Sequence, residues 1–452
     1  MSSYIPRALT IAGSDSGGGA GIQADLKAFA AFGVHGMSAL TAITAQNTTG
    51  VTAVHPIPPH IVAAQIEAVA SDIGVDAAKT GMLFSADIIA VVADEVKKWS
   101  FPLVVDPVMI AKSGAPLLQP EAKDALIRLL LPLATVVTPN AHEAAAITGQ
   151  SVTTLADAEK AAKAIADLGP KAVVVKGGHL IGDEAVDVLL VGDRFHYFRE
   201  PRLASTTDHG TGCTFAASIA AGLARGDDLL QAVTQAKRVV TDAVRFGFSV
   251  GSGHGPVNPL AGLYREAEKI TVLENVAQAV RFLEDHPVLA RLCPESQINV
   301  AMGLPQPRDL SDVCGVPGRV TCAGGRLRAS SGPAFGGSRH IARAIIAAGR
   351  TNPQIRAAMN ITVNDNILDA CRRLGLVISS YDRRDEPADV KAKEGGSTLW
   401  GAEEAIRKAG RVPDVFYHMG DWGKEPMMVI LGPKAMDVAR RALAIAEAVD
   451  AM

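Results

Sequence analysis

The period of the hydrophobic pattern changes repeatedly along the first half of the chain. Short β-branched apolar runs at residues 9–12, 77–80, 103–105, 135–138 and 172–175 have the length and composition of buried strands. Between them, apolar positions recur with helical spacing over residues 22–32, 59–73, 85–99 and 155–168. Strand and helix in alternation imply right-handed crossovers, which lay strands parallel and cover the sheet on both faces. The expected fold of this half is α/β, doubly wound around a mostly parallel sheet.

At residues 247–259 the pattern gives way to a loop-like stretch rich in Gly, Ser and Pro. Residues 260–292 then read as one or two helices interrupted near 269–271, so the boundary is expected near residue 266, with domains at 1–266 and 267–452. The second half shows a Gly/Pro-rich basic stretch at 315–337, a helix at 338–348, a strand at 358–362 and a last helix at 433–448. That is a second, smaller α/β domain. Two domains also suit a length of 452 residues, since single cores stop growing at about 250–300 residues. No period of roughly 20–50 residues marks a repeat architecture.

Composition narrows the classes of function. With 48% hydrophobic and 20% charged residues, and no apolar run near the roughly 18 residues of a membrane span, no membrane partner is expected. The balance of 44 basic and 47 acidic side chains gives a net charge of −3, which draws the chain to no nucleic acid. Residues 1–10 lack a basic segment followed by a long apolar one, so the expected location is the cytoplasm. Cys213, Cys293, Cys314, Cys322 and Cys371 are odd in number and form no C-x-x-C pair, which argues against a disulfide framework and a zinc site. The expected partners are small molecules, with a homo-oligomer as the expected state.

Several segments carry candidate chemistry. Residues 12–25 (Ala-Gly-Ser-Asp-Ser-Gly-Gly-Gly-Ala-Gly-Ile-Gln-Ala-Asp) follow a strand and open a helix, where glycine lets a ligand approach the backbone. They match neither G-x-G-x-x-G nor a P-loop, and a purely structural turn fits equally well. Asp208-His209-Gly210-Thr211-Gly212-Cys213 precedes a small-residue helix, whose first N–H groups and dipole favour an anion and would lower the Cys213 thiol pKa. A buried apolar cysteine at a helix start is the alternative. Asp106, then Asn140 and Glu143, then Lys176 stand just beyond successive strands, where a parallel sheet gathers its ligands. Carboxylates suit Mg²⁺ and a lysine suits phosphate oxygens, although each residue alone could be an ordinary loop residue.

Taken in order, these segments resemble the hydroxymethylpyrimidine/phosphomethylpyrimidine kinases of the ribokinase-like superfamily, over nearly the whole first domain. Ala45-Gln46-Asn47-Thr48, Lys79-Thr80-Gly81-Met82-Leu83, Asp106-Pro107-Val108-Met109, Lys112-Ser113-Gly114 and Lys176-Gly177-Gly178-His179 complete the match. Other members of that superfamily carry Asp where this chain has Cys213. The resemblance implies a ribokinase-like fold, ATP as phosphoryl donor and Mg²⁺. It implies that Gln46 and Asp25 hydrogen-bond an aminopyrimidine, with Gly13, Ala20, Met82 and Val108 around the ring. Thr44 stands where relatives have an apolar residue. Gly210, Thr211 and Gly212 would form the anion hole, Lys176 and Asn140 would serve ATP, Asp106 and Glu143 would hold Mg²⁺ directly or through water, and Cys213 would be the base. A pyridoxal-type kinase of the same superfamily is the alternative.

In the second half, Arg319, Arg326, Arg328, Arg339, His340 and Arg343 surround a helix start at Ser338, a candidate N-cap. The cluster suits a phosphate or pyrophosphate, with a solvated basic loop as the alternative. Lys424 adds a cation in the loop at 420–426. Val316-Pro317-Gly318-Arg319-Val320, residues 337–342, Met359-Asn360-Ile361 and Gly423-Lys424-Glu425-Pro426 resemble the archaeal-type thiamine-phosphate synthase domain. That resemblance implies catalysis by Arg319 and His340, and phosphate binding by Ser338, Arg339, Arg343 and Lys424. The implied whole is a bifunctional enzyme that phosphorylates a hydroxymethylpyrimidine and its monophosphate, then condenses the pyrophosphate with hydroxyethylthiazole phosphate. The alternative is a kinase carrying a non-catalytic, thiamine-phosphate-sensing domain.

Overall fold

A computed structural model describes residues 4–109, 117–119, 121–391, 395–421 and 423–451, and the chain divides into two compact units, Met1–Leu263 and Tyr264–Met452. The segment Lys112-Ser113-Gly114 lies outside the described residues.

The first unit contains strands β1 (Arg7–Ala12), β2 (His35–Leu40), β3 (Ala42–Gln46), β4 (Val51–Pro56), β5 (Ala77–Thr80), β6 (Leu103–Val105), β7 (Val136–Val137), β8 (Ala172–Val175), β9 (Glu184–Val191) and β10 (Arg194–Pro201). Eight of them form one sheet in the order β10-β9-β8-β7-β6-β5-β1-β2. Neighbours from β8 to β2 run parallel, and β9 and β10 are added antiparallel. Ala8 through Ala12, Ala77 through Thr80 and Leu103 through Val105 are buried without alternation, as strands covered on both faces must be. The helix Thr211–Ala224 is buried almost all round. Ala216, Ala217, Ala220 and Ala221 bring it close against the sheet, so small residues rather than aromatic ones fill this core. The hairpin β3–β4 and the arm β9–β10 are half-exposed, and the hydrophobic pattern alone does not announce them.

The second unit is built on β11 (Val300–Gly303), β12 (Val313–Gly315), β13 (Val320–Ala323), β14 (Arg326–Ala329), β15 (Ala334–Phe335), β16 (Ala357–Ile361), β17 (Ile378–Ser380), β18 (Val415–His418) and β19 (Met427–Gly432). Seven of these form a sheet in the order β15-β12-β11-β16-β19-β18-β17. It alternates with helices in sequence yet pairs mainly antiparallel, with β17–β18 parallel. Both faces are covered. Val300, Met302, Met359 and Ile430 pack into one apolar cluster, while their neighbours Ala301, Ala358 and Leu431 point into the other.

The interruption expected near residues 269–271 is absent, because the helix Ala261–Asp285 runs through it unbroken. Val272, Val276, Ala279 and Leu283 keep a helical period into the core, and the β-branched Ile270 sits on the solvent side. Packing of that face overrides a locally poor helix former.

Candidate active sites

The C-terminal ends of β1, β5, β6, β7 and β8 open into a cavity of about 750 Å³. Gly13, Ala20, Gln46, Met82, Val108, Asp106, Asn140, Glu143, Lys176, Gly210, Thr211, Gly212 and Cys213 all line it. At its floor Lys176 Nζ lies 2.9 Å from Asp106 Oδ1 and 3.9 Å from Glu143 Oε2. Thr138 Oγ1 donates to the same Asp106 oxygen at 3.2 Å, which fixes the carboxylate. Burial disfavours the charged form of Lys176, but Asp106 and Glu143 outweigh it and hold its pKa above the ordinary value. Burial pushes Glu143 up to about 7 against the pull of Lys176. Asn140 and Glu143 also cap the helix Ala141–Thr148 reciprocally, which explains their three-residue spacing without any ligand.

The turn before the helix Thr211–Ala224 meets this floor. Gly210 has φ of +83°, and a Cβ there would sit 1.8 Å from Gly19 O, so only glycine fits. At Gly212 a Cβ would lie 3.1 Å from Lys176 Nζ and 3.7 Å from Asp106 Oδ2. The helix has no side-chain cap, so its opening amides can serve a ligand next to that lysine.

Two expected substrate contacts do not reach the cavity. Asp25 is fully buried, and its carboxylate accepts from Lys79 Nζ at 2.9 and 3.0 Å and from Thr10 Oγ1 at 2.6 Å. Thr44 is also buried, and its hydroxyl donates to Ser14 O at 2.8 Å. Lys79, which reaches the cavity from the far side of that ion pair, is a lining residue the motif reading left without a role. Asp25 holds its pKa above the usual lysine range although burial opposes this.

The Cys213 thiol also departs from expectation. Burial pushes it up to about 11 despite the favourable charge of Lys79, rather than down toward thiolate. Asp15 and His209 were missed as well. They line the cavity 2.8 Å apart, and each stands inside a quoted glycine motif, the only signal that could have found them.

In the second unit Gly318 and Arg319 both have positive φ, 73° and 72°. Such a backbone is costly for arginine, and it turns the guanidinium to donate to Ser296 O. Glu425 accepts from the amides of Glu295 and Ser296 at 2.8 Å each, and so ties the loop at 423–426 to the same segment. Asn299 and Val316 exchange two hydrogen bonds, of 2.8 and 3.0 Å, and Asn299 N donates to Asn360 Oδ1 at 2.8 Å.

His340 feels burial and then the positive charges of Arg319, Arg343, Lys424 and Arg383, which together lower its pKa. Because the residue is exposed, we assign the shift mainly to the cations. They form a site that repels a fifth positive charge and suits an anion. Arg383 was not foreseen, and its Nε is buried with no hydrogen-bond partner among the described residues. Ser338 is buried but does not cap the helix His340–Thr351, whose N-cap is Arg339 with no side-chain cap bond. It packs instead so close to Gly315 that a Cβ there would be 2.8 Å away.

The phosphomethylpyrimidine kinase family profile matches residues 15–258, and the profile for thiamine-phosphate synthase ThiN matches residues 275–444. The chain is 51% identical over 251 residues to the thiamine biosynthesis bifunctional protein ThiED of Geobacter sulfurreducens, covering 55% of this chain and 51% of that protein. It therefore spans about half the length of that relative. It is 50% identical to the hydroxymethylpyrimidine/phosphomethylpyrimidine kinase of Haemophilus influenzae, over 57% of this chain and 97% of that one. Among solved structures it resembles the pyridoxal kinase from Staphylococcus aureus in complex with AMP-PCP and pyridoxal. That likeness has a TM-score of 0.54 and 39% identity, over 57% of this chain and 95% of that one.

Proposed function

The chain belongs to the phosphomethylpyrimidine kinase family, and from that premise we propose that its first unit moves the γ-phosphoryl group of ATP onto a hydroxymethylpyrimidine and then onto its monophosphate. The observation that carries this reading is Lys176 paired to Asp106 at 2.9 Å beside the Gly212 backbone, on the floor of the cavity. Phosphoryl transfer asks a protein mainly to position two reactants and neutralise charge. Gln46, Met82 and Val108 hold the ring, the amides of residues 210–213 face the moving group, and Lys176 neutralises phosphate oxygens. Two carboxylates are too few for a closed metal cage but suit Mg²⁺, which keeps waters and nucleotide oxygens as its other ligands. Asp106 and Glu143 would hold it, and when bound it neutralises phosphate charge. The reaction is assigned to the cytoplasm; no described helix is long and apolar enough to cross a membrane.

Cys213 takes the proton of the alcohol. With its thiol near 11, the ionised fraction limits the rate at neutral pH, so kcat for the alcohol rises with pH below that value. The monophosphate has already ionised and needs no such base. Cys213→Ala is therefore expected to lower kcat on the alcohol by about 10²-fold or more, to flatten its pH profile and to affect the monophosphate less.

The second unit condenses the pyrimidine pyrophosphate with hydroxyethylthiazole phosphate. An aminopyrimidine can support positive charge at its methylene, which leaves the enzyme to stabilise the departing pyrophosphate. Arg319, His340, Arg343, Lys424 and Arg383 are disposed for that. The full chain, given the pyrimidine alcohol, MgATP and thiazole phosphate, should release pyrophosphate and form thiamine phosphate. If the pyrimidine pyrophosphate accumulated instead, the second unit would be a sensor.

A further inference from the structure

Gln46 is the polar side chain that would read the edge of a heteroaromatic ring, and its own orientation is decided by neighbours. On one side His209 Nε2 lies 3.4 Å from the amide nitrogen of Gln46 and 2.8 Å from Asp15 Oδ2. On the other, Thr44 Oγ1 lies 3.3 Å from the amide oxygen and donates to Ser14 O at 2.8 Å. A glutamine amide can present either end to either neighbour by rotation of its last torsion.

The donor and acceptor inventory selects one arrangement. Burial opposes ionisation of Asp15, but His209 and the Ala20 amide outweigh it and keep the carboxyl below its usual range. An ionised carboxylate only accepts, so His209 Nε2 carries a proton and points it at Asp15. That N–H cannot also accept from an amide N–H, so the oxygen of Gln46 belongs beside His209. Thr44 has a single hydroxyl hydrogen, already given to Ser14 O, so what it offers Gln46 is a lone pair, and the NH₂ end belongs there. Both neighbours demand the same rotamer. The side chain then keeps one N–H and one oxygen lone pair for the cavity it lines, the complement of an amino group beside a ring nitrogen.

Asp15 is itself held rigidly. Its oxygens accept from the amides of Gly17 at 2.8 Å, Gly19 at 3.0 Å and Ala20 at 2.8 Å, and its own amide donates to Gln23 Oε1 at 2.8 Å. His209 precedes Gly210, whose backbone rests on Gly19 O. One hydrogen bond thus joins the ring-binding loop to the turn that opens the helix Thr211–Ala224.

We propose that Asp15 and His209 form a positioning pair that locks the Gln46 amide in the rotamer that accepts an aminopyrimidine edge, and so sets the selectivity of the site for that ring over pyridoxal. The proposal rests on the pyrimidine kinase reading. A merely structural role would lower stability without coupling to Gln46, so the test is a double-mutant cycle on the full chain with His209→Phe, Gln46→Ala and the pair. Affinity for the pyrimidine alcohol is read by calorimetry and kcat/KM by turnover, with pyridoxal in parallel.

His209→Phe should weaken binding and kcat/KM for the pyrimidine alcohol about tenfold, the worth of one oriented polar contact. It should leave the KM for ATP in place and narrow the preference over pyridoxal. The double variant should be no worse than Gln46→Ala alone. His209→Gln, which retains a donor toward Asp15, should restore most of the loss and carries the same comparison if the phenylalanine variant does not fold. Additive losses in the cycle, or an equal rise in the KM for ATP, would overturn the proposal. Absence of wild-type turnover on the pyrimidine would instead overturn the kinase reading, while calorimetry still reports the coupling.

Discussion

The two candidate sites hold charge in different ways, although buried pairs such as Arg265 with Asp312 also occur in the second unit. In the first, the buried and half-buried lysines around the cavity each have a carboxylate: Lys79 with Asp25, Lys237 with Asp187, and Lys176 with Asp106. In the second, burial and then the positive charges of Arg319, Arg343, Lys424 and Arg383 lower the pKa of His340, with Glu386 3.9 Å from Arg383 as a carboxylate beside the cluster. A compensated site keeps its shape before substrate arrives, which suits chemistry whose rate depends on placing two reactants. A site with surplus positive charge is completed by its ligand, which suits stabilising an anion that leaves.

The contrast breaks most visibly at the fully buried pair. Lys79→Met should leave an uncompensated Asp25 carboxyl in the core and cost about 3–5 kcal/mol, read as a lower urea midpoint for the first unit. A loss below about 1 kcal/mol would mean that the charges in this unit are not held by pairing. The second unit should behave in the reverse sense. Arg319→Ala relieves repulsion but keeps a Cβ on the same positive-φ backbone, so stability without ligand should hold, while thiamine phosphate formation falls by about 10²–10³-fold, as for other single anion-stabilising groups. A parallel loss of kinase activity in that variant would contradict a separate second site.

A smaller effect sharpens the comparison through pH. His418 is buried beside Tyr381, and burial and then Arg383 lower its pKa to about 4. The unfolded imidazole takes its proton near 6.5, so between the two values the unfolded chain binds more protons and acidification favours unfolding. The stability this neutral histidine contributes is complete above about 6.5. On the order of 3 kcal/mol should be lost as pH falls to 4, and the His418→Asn profile should lack that loss.

Much of the first unit was legible because parallel strands are buried on both faces and read as unbroken apolar runs. β1, β5, β6, β7 and β8 lie where such runs were expected. The second unit was harder to read. Its strand–helix alternation gave no hint that neighbours pair antiparallel, since alternation of elements in a chain leaves the direction of pairing open. Of the side chains expected at the sites, those at strand ends and in glycine turns were recoverable from position alone. Arg383 was not, because nothing in its local sequence records what lies across the cluster; His209 stands in a glycine turn, but that turn does not reveal its partner Asp15.

Local chemistry along the chain determined where strands end, where glycine must stand and which side chains could meet a phosphate. Only the tertiary structure decided what each of those groups faces. Asp25 and Asp106 look alike in sequence and each pairs with a lysine, yet only Asp106 lines the cavity. Cys213 stands at a helix start that favours a thiolate, yet its thiol is pushed up to about 11. The reason is physical: the state of an ionisable group depends on desolvation and on charges a few ångströms away, and those come from residues remote in the chain.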